Sequence, residues 1–220
     1  LSRQVSILTG GPGTGKTSII KAIIQVARRY GRSIVLMAPT GKAAKRMEEA
    51  TGTSASTIHR ALGVDPKTRQ FIHNDDYPLD GDIFIIDESS MIDVRLAHAL
   101  LRAIPQYAHI VFVGDINQLP SVGPGNFLRD LIESRRFPVT RLTKIWRQAE
   151  DSLIIPNAHA INNGEMPAFG RGVNSDFHLI EAQDAGEAGN WITQLVCKWI
   201  PKNFGYDPGD IQVLTPQKRT

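Results

Sequence analysis

The stretch ILTGGPGTGKTSII, residues 7 to 20, decides the fold of this chain. It opens with an apolar run typical of a strand, passes through four glycines and closes with residues that favour a helix. Gly10, Gly15, Lys16 and Thr17 fit the pattern G-x-x-x-x-G-K-[ST] of a phosphate-binding loop. A glycine-rich turn that arose by chance is the alternative, and the strand-loop-helix context argues against it.

The chemistry of such a loop assigns roles to its residues. Backbone N–H groups and the N-terminus of the following helix face the phosphates, Lys16 reaches the β and γ phosphates, and the Thr17 hydroxyl can ligate Mg²⁺. We therefore expect a nucleoside triphosphate with Mg²⁺ as the cofactor and Lys16 as a catalytic residue, while the choice of ATP rests on the family resemblance given below. The expected nucleotide contacts are Gly11, Pro12, Gly13, Thr14, Gly15, Lys16, Thr17 and Ser18.

Outward from the loop, short β-branched runs alternate with helical patterns. The runs VSILTG, SIVLMAP, IFIID and HIVFVGD are each followed by a segment with helical spacing of apolar residues. Continuous apolar strands that alternate with helices predict a parallel sheet with helices on both faces. The predicted fold class is therefore a doubly wound α/β fold.

Beyond Pro138 the regular alternation of strand and helix patterns changes. We predict a helix over SLIIPNAHAIN, a strand at FHLIEA and an amphipathic helix from about 185 to 200. The predicted boundary divides the chain into a first domain, 1–138, and the start of a second, 139–220. The chain lacks an initiator Met and enters a strand within a few residues, so it is expected to be a fragment.

Composition sets limits on the partners and the compartment. Lys and Arg number 25 against 22 Asp and Glu, a net charge of +3, which permits an anionic partner without requiring one. Cys197 is the only cysteine, which excludes an internal disulfide and a cysteine zinc site and fits a reducing cytoplasm. No apolar run approaches the roughly 20 residues that span a bilayer. We expect a cytoplasmic protein with no membrane partner.

Two further strand ends carry polar side chains to the edge of the sheet where ligands of open α/β sheets bind. Asp87 is placed to hold Mg²⁺ together with Thr17, and Glu88 to act as general base for an attacking water. Asp-Glu after a strand is also a common helix N-cap pair. After the next strand come Asp115 and Gln118, whose amide can contact the γ-phosphate or the attacking water, unless this segment is only a turn.

The segment PTGKAAKRM has a basic character of its own. Lys42, Lys45 and Arg46 lie three to four residues apart and hence on one helix face, while PTG exposes backbone N–H groups at a helix start. This arrangement suits the phosphates of a nucleic-acid strand. A solvated basic face is the alternative.

Taken together, the motifs resemble those of the RecD/TraA-type helicases of superfamily 1. The resemblance rests on GGPGTGKT, APTGKAAKRM, ASTIHRALG, IIDESSMID, VGDINQLPSVGPGN and LTKIWRQ…SLIIPNAHAINNGEMP, and it covers nearly the whole chain. WRQ makes the chain look more like the stand-alone RecD-like branch than the subunit of the recombination nuclease.

The resemblance implies two RecA-like domains that clamp ATP between them and move 5′ to 3′ along single-stranded DNA. It implies that Glu88 and Gln118 act in catalysis and that Arg147 is an arginine finger. The DNA contacts that it implies are Pro39, Thr40, Gly41, Lys42, Thr57 and His59.

Departures from the family pattern limit the expected activity. The upstream helix whose Gln reads adenine is missing, and Gln4 lies too near the first strand to replace it. Motifs V and VI, including the second arginine, are also missing, so this piece is expected to bind nucleotide without unwinding DNA by itself.

Two other functions compete with a helicase in DNA repair or recombination. An AAA+ ATPase shares the Asp-Glu pair and a polar residue at a strand end, but needs oligomerisation to place its arginine finger. An ATP-gated DNA-binding clamp subunit needs no general base, so the presence of Glu88, Gln118 and Arg147 together argues against it. The other five His residues show no metal-ligand spacing: His73, His98, His109, His159 and His178.

Overall fold

The computed structural model describes residues 4–144, 152–170 and 175–215. The chain forms two compact units, Leu1–Gln148 and Ala149–Thr220. Each unit is described by itself below.

The first unit alternates strands with helices, as the sequence predicts. Its strands are β1 (Val5–Gly10), β2 (Ile34–Ala38), β3 (Ala55–Thr57), β4 (Ile83–Ile86), β5 (His109–Gly114) and β6 (Val139–Leu142). Its helices are α1 (Lys16–Arg29), α2 (Gly41–Thr51), α3 (Ile58–Leu62), α4 (Val94–Ala103) and α5 (Phe127–Glu133).

These strands build one parallel sheet in the order β3-β2-β4-β5-β1-β6. Because β5 lies between β1 and β4, the loop after β1 and the carboxylates after β4 flank the end of β5. All strands point the same way, so every motif that follows a strand lies at the carboxyl edge of the sheet.

The core explains why the strands are apolar along their whole length. Ile83 and Ile85 pack on the face covered by α1 and α2, whereas Phe84 and Ile86 pack on the face covered by α3, α4 and α5. Successive side chains of a strand point to opposite faces, so a sheet covered on both sides buries them all. The predicted doubly wound α/β fold is confirmed.

The strand at Val139–Leu142 belongs to the first sheet. It pairs in parallel with β1, with Ile7 opposite Val139 and Gly10 opposite Leu142. The sequence-based boundary placed these residues in the second domain because the strand-helix rhythm changes at Pro138, whereas the first compact unit extends to Gln148.

In the second unit, the described residues are mainly helical. Its helices are α6 (Ile154–Asn162), α7 (Ala185–Gln194) and α8 (Ile200–Phe204). The buried Asn157 side chain donates to the Ala168 carbonyl (2.6 Å) and accepts from the Ala168 N–H (2.8 Å), which ties the loop after α6 back onto that helix.

Two features of the second unit differ from the sequence prediction. A π-helical turn, Leu195–Trp199, joins α7 to α8. Pro201 explains it, because its ring clashes with the carbonyl four residues earlier and a wider turn relieves that clash. The predicted strand FHLIEA is absent, and no strand is present in residues 152–170 and 175–215 that would supply its hydrogen bonds.

Within the described ranges, no helix combines the length and the apolar character that crossing a membrane requires.

Candidate nucleotide-binding site

The loop between β1 and α1 has a fixed shape. Gly15 takes a φ of +92° at the N-cap of α1, a conformation that favours glycine. A Cβ at Gly10 would come within 2.6 Å of the Thr14 hydroxyl and 2.8 Å of the Leu142 carbonyl. The buried Thr14 hydroxyl donates to the Gly11 carbonyl at 2.8 Å, which closes the loop on itself. The spacing of the glycines is thus required by close packing as well as by backbone geometry.

Lys16 is held at the mouth of this loop. Its ammonium donates to the carbonyls of Gly10 (2.6 Å) and Gly11 (3.0 Å). An anion that enters the loop competes with these two carbonyls for the ammonium. The side chain is therefore already placed where the bound phosphates are expected.

The two carboxylates after β4 lie in a tight turn. Glu88 has a φ of +51°, which is rare for a residue with a side chain. The Ser89 hydroxyl donates to the Ile86 carbonyl at 2.7 Å, and an Asp87 carboxylate oxygen accepts from the Glu88 N–H at 2.9 Å. Glu88 does not cap the 3₁₀ turn Ser89–Met91 with its side chain, so the helix-capping interpretation does not describe it. Unusual backbone of this kind is concentrated at functional sites.

Burial makes both carboxylates harder to ionise. Desolvation raises the pKa of Asp87, and it raises the pKa of Glu88, which the neighbouring Asp87 charge raises further. The positive charges of Lys16 and Arg46 oppose both shifts. The Glu88 Oε2 atom is buried and has no hydrogen-bond partner. A buried acceptor without a partner is what a general base needs to receive a proton from water.

Loop, lysine and carboxylates share one cleft of about 870 Å³. Gln118 and the start of α2 also line it. Its ionisable lining residues are four cations and two carboxylates, an excess of two positive charges: Lys16, Lys21, Lys42, Arg46, Asp87 and Glu88. This excess matches the charge of a nucleoside triphosphate that carries one divalent cation.

The donor set of the cleft fits Mg²⁺. The Thr17 hydroxyl and the Asp87 carboxylate both line it. No cluster of three or more His, Cys, Asp or Glu side chains able to hold a metal exists among the described residues. Mg²⁺ needs no such cluster, because it is typically held by one or two protein ligands together with substrate phosphates and water.

The two polar residues after β5 have different positions. Asp115 is buried, and its carboxylate accepts from the Asn117 N–H at 3.0 Å, so it stabilises the turn. Gln118 is exposed at the surface of the cleft. The alternative of a simple turn thus describes Asp115, while Gln118 lies where a bound phosphate is expected.

Helix α2 contributes to the same cleft through its first two turns. Thr40 caps the helix by accepting from the Ala43 N–H at 3.3 Å, and both Thr40 and Lys42 line the cleft. Arg46 lines it as well, whereas Lys45 lies within 3.8 Å of Glu49 on the exposed side. The sequence pattern predicts Lys42, Lys45 and Arg46 on one helix face and assigns no nucleotide contact to Arg46. The spacing of four residues from Lys42 to Arg46 was the available signal.

The remaining candidate DNA contacts lie at the same edge of the sheet. Pro39 and Gly41 flank Thr40 directly after β2. Thr57 caps α3 by accepting from the Arg60 N–H at 3.2 Å, and the exposed His59 ring lies 5.7 Å from the Phe71 ring. Arg147, the predicted arginine finger, lies outside the described residues.

A second groove, of about 800 Å³, runs along the outer side of α1. Its lining is mainly apolar and includes Ile23, Val26 and Tyr30. It contains neither the loop nor the two carboxylates, so the candidate site is the polar cleft.

The fold and the cleft together define a P-loop nucleotide-binding protein. Residues 1–124 match the sequence model of a family described as an AAA domain, and the chain belongs to that family.

Curated relatives confirm the resemblance to RecD-type proteins. The chain is 41% identical over 216 residues to the ATP-dependent RecD2 DNA helicase of Deinococcus radiodurans, which covers 98% of this chain and 28% of the relative. It is 38% identical over 157 residues to the RecBCD enzyme subunit RecD of Mycolicibacterium smegmatis, covering 60% of this chain and 28% of that subunit. The chain thus spans little more than a quarter of the length of these relatives.

Solved structures of Pif1 helicases share the fold. One, of two Pif1 helicases at forked double-stranded DNA, has a TM-score of 0.53 at 24% identity and covers 75% of this chain and 45% of its own. Another, Pif1 from Bacteroides with ADP-AlF₃ and single-stranded DNA, has a TM-score of 0.50 at 19% identity, with coverages of 96% and 54%. At these identities the likeness establishes the fold.

Proposed function

We propose that this chain is the nucleotide-hydrolysing part of a cytoplasmic, ATP-dependent DNA helicase that acts in DNA repair or recombination. The observation that carries the proposal is the alignment of 98% of the chain with a relative named an ATP-dependent RecD2 DNA helicase. The cleft supports it, because a phosphate-binding loop and a buried, unpartnered carboxylate line the same space. The proposed partners are ATP and DNA, as in the name of that relative, with the DNA single-stranded as in the Pif1 structure from Bacteroides, and Mg²⁺, which the Thr17 and Asp87 side chains fit.

The residues of the cleft divide the work of hydrolysis between them. The loop N–H groups and Lys16 bind the phosphates, and Thr17 and Asp87 hold Mg²⁺, which neutralises charge that develops on the phosphoryl group. Glu88 orients the attacking water and accepts its proton at Oε2. Gln118, at the end of β5, contacts the terminal phosphate and transmits its loss to the sheet edge.

Coupling to DNA is proposed for the ends of β2 and β3. The proposed DNA contacts lie at the same edge of the sheet as the cleft: the segment Pro39–Lys42 and the residues Thr57 and His59. A DNA strand bound there would therefore respond when the cleft closes around the nucleotide. Movement from 5′ to 3′ and an arginine finger at Arg147 belong to this proposal, and they rest on the family resemblance alone.

Steady-state ATP hydrolysis by the full-length protein, with and without single-stranded DNA, tests the proposal. We expect strong stimulation by DNA. Lys16→Ala and Glu88→Gln should each reduce turnover by at least about 100-fold, because each removes a group that acts on the transferred phosphoryl or its attacking water. Glu88→Gln should keep its affinity for ATP, because its side chain acts on the water and not on the nucleotide.

The alternatives give different results. ATP binding with no response to DNA would contradict the helicase and favour an AAA+ type ATPase. DNA binding gated by ATP, with turnover equal in Glu88→Gln and parent, would favour a clamp. A strand-displacement assay on duplexes with 5′ or 3′ single-stranded tails then decides the polarity.

A further inference from the structure

Two cations of the cleft, Lys21 and Arg46, have no role in the mechanism above. Arg46 lies in the second turn of α2, four residues after Lys42 and on the same side of the helix. The buried residues of α2, Ala44 and Met47, point to the core, and Lys45 approaches Glu49 on the exposed side. The helix geometry therefore directs Arg46 into the cleft.

The surroundings of Arg46 are those of the reaction centre. Arg46 lines the cleft together with Thr17, Asp87 and Glu88. Its charge acts on both carboxylates, as the charge of Lys16 does, whereas neither Lys21 nor Lys42 acts on them in this way. Arg46 thus lines the same space as the carboxylate that we propose as the general base.

The guanidinium is also available to a ligand. Within the described part of the chain it donates no hydrogen bond and forms no ion pair within 4 Å. A guanidinium presents a planar fork of N–H donors that suits two oxygens of one phosphate. Lys16, by contrast, already donates to two loop carbonyls.

We infer that Arg46 contacts the terminal phosphate of the bound nucleoside triphosphate, so that α2 serves the nucleotide through its second turn and DNA through its first. This inference rests on the proposed function, because it takes the occupant of the cleft to be a nucleoside triphosphate. Helix α2, which follows PTG, is then held by the nucleotide only while the terminal phosphate is present. Loss of that phosphate on hydrolysis removes the contact and releases the second turn of α2.

Nucleotide affinity measured by calorimetry on the full-length protein tests the inference without relying on turnover. The probes are Mg²⁺ with ATPγS and Mg²⁺ with ADP. Arg46→Ala should weaken ATPγS binding by at least about tenfold, as expected for the loss of a charge-assisted hydrogen bond. ADP affinity should stay within about twofold, because ADP lacks the contacted group. Arg46→Lys keeps the charge without the fork and should give an intermediate affinity for ATPγS.

A matched control is Arg29→Ala, which removes an exposed arginine at the far end of α1, about 20 Å along the helix from Lys16. It should bind both nucleotides like the parent. If Arg46→Ala bound ATPγS like the parent, or lost affinity for ATPγS and ADP equally, the inference would be overturned. If the parent itself bound neither nucleotide, the proposed function would fail too, which separates the two failures.

Discussion

Glu88 joins a strained backbone to a half-buried carboxylate whose Oε2 atom has no hydrogen-bond partner. Its φ of +51° and its unpartnered Oε2 both disfavour folding in the absence of ligand. Ser89 and Asp87 hold the turn through hydrogen bonds to its backbone, so the surrounding structure maintains the unfavourable geometry. Unfavourable geometry of this kind is what the general-base role that we propose for Glu88 would require.

Glu88→Gln should therefore stabilise the nucleotide-free protein while it abolishes turnover. The substitution removes a charge that burial disfavours, and the gain should fall at the low end of the roughly 0.5–2 kcal/mol typical of single stabilising changes, because water still reaches part of the group. Calorimetry on the full-length protein in EDTA at pH 8 measures it. The unfolding transition of the first unit is identified as the one whose midpoint temperature rises when nucleotide is added in a parallel scan.

The effect of Glu88→Gln should depend on pH. The pKa of Glu88 is raised on folding, so the folded state binds the proton more tightly than the unfolded state. Stability is then lost as pH rises through the interval above the ordinary value of 4.5, and the advantage of Gln should shrink as pH falls from 8 towards 5. Glu49→Gln is the control, because Glu49 is an exposed carboxylate near Lys45. The difference in stability between this variant and the parent should not shrink as the pH falls. A Gln variant less stable than the parent at pH 8 would contradict this account.

At the scale of the elements, the sheet-edge motifs combine structural and functional roles. Thr57 caps α3, although the family resemblance implies that it contacts DNA. The hydroxyl that accepts from the Arg60 N–H is thus already engaged, and a substitution here changes helix stability as well as any DNA contact.

Two substitutions at Thr57 separate these roles. Thr57→Ala removes the cap and should destabilise the first unit by about 1 kcal/mol. Thr57→Asp restores the cap and complements the helix dipole, so stability should recover, but its negative charge should repel a DNA phosphate. Urea unfolding measures the first effect, and fluorescence anisotropy with a labelled oligonucleotide measures the second. Equal DNA affinity in the Asp variant and the parent would remove Thr57 from the DNA interface.

The elements differ in whether the sequence alone predicts them. Apolar periodicity and loop spacing predicted the strands and helices around the nucleotide loop, because each local preference there agrees with burial on both faces of the sheet. The strand predicted at FHLIEA is absent, because a local sequence pattern does not supply a hydrogen-bonding neighbour. The role of Val139–Leu142 in the first sheet and the entry of Arg46 into the cleft depend on tertiary packing, which a linear pattern does not contain.

At the scale of the whole molecule, charge is arranged locally. The net charge of the chain is only +3, yet four cations line a single cleft. The affinity for DNA that we propose for this chain would then come from a few cations at the carboxyl edge of the sheet and not from its overall charge. Lys42 is the first such cation after the proposed DNA-contacting turn at β2.

Salt dependence tests this arrangement in the full-length protein. The affinity for single-stranded DNA should fall linearly with salt on logarithmic axes, since bound phosphates release counterions. If Lys42 neutralises one phosphate, Lys42→Ala should reduce the magnitude of that slope by about 0.7. Arg29→Ala also removes one positive charge, but at the end of α1 that lies away from the nucleotide loop, and it should leave the slope unchanged. Equal slopes for Lys42→Ala and Arg29→Ala would mean that Lys42 neutralises no DNA phosphate, and the DNA-binding edge proposed here would have to be placed elsewhere on the protein.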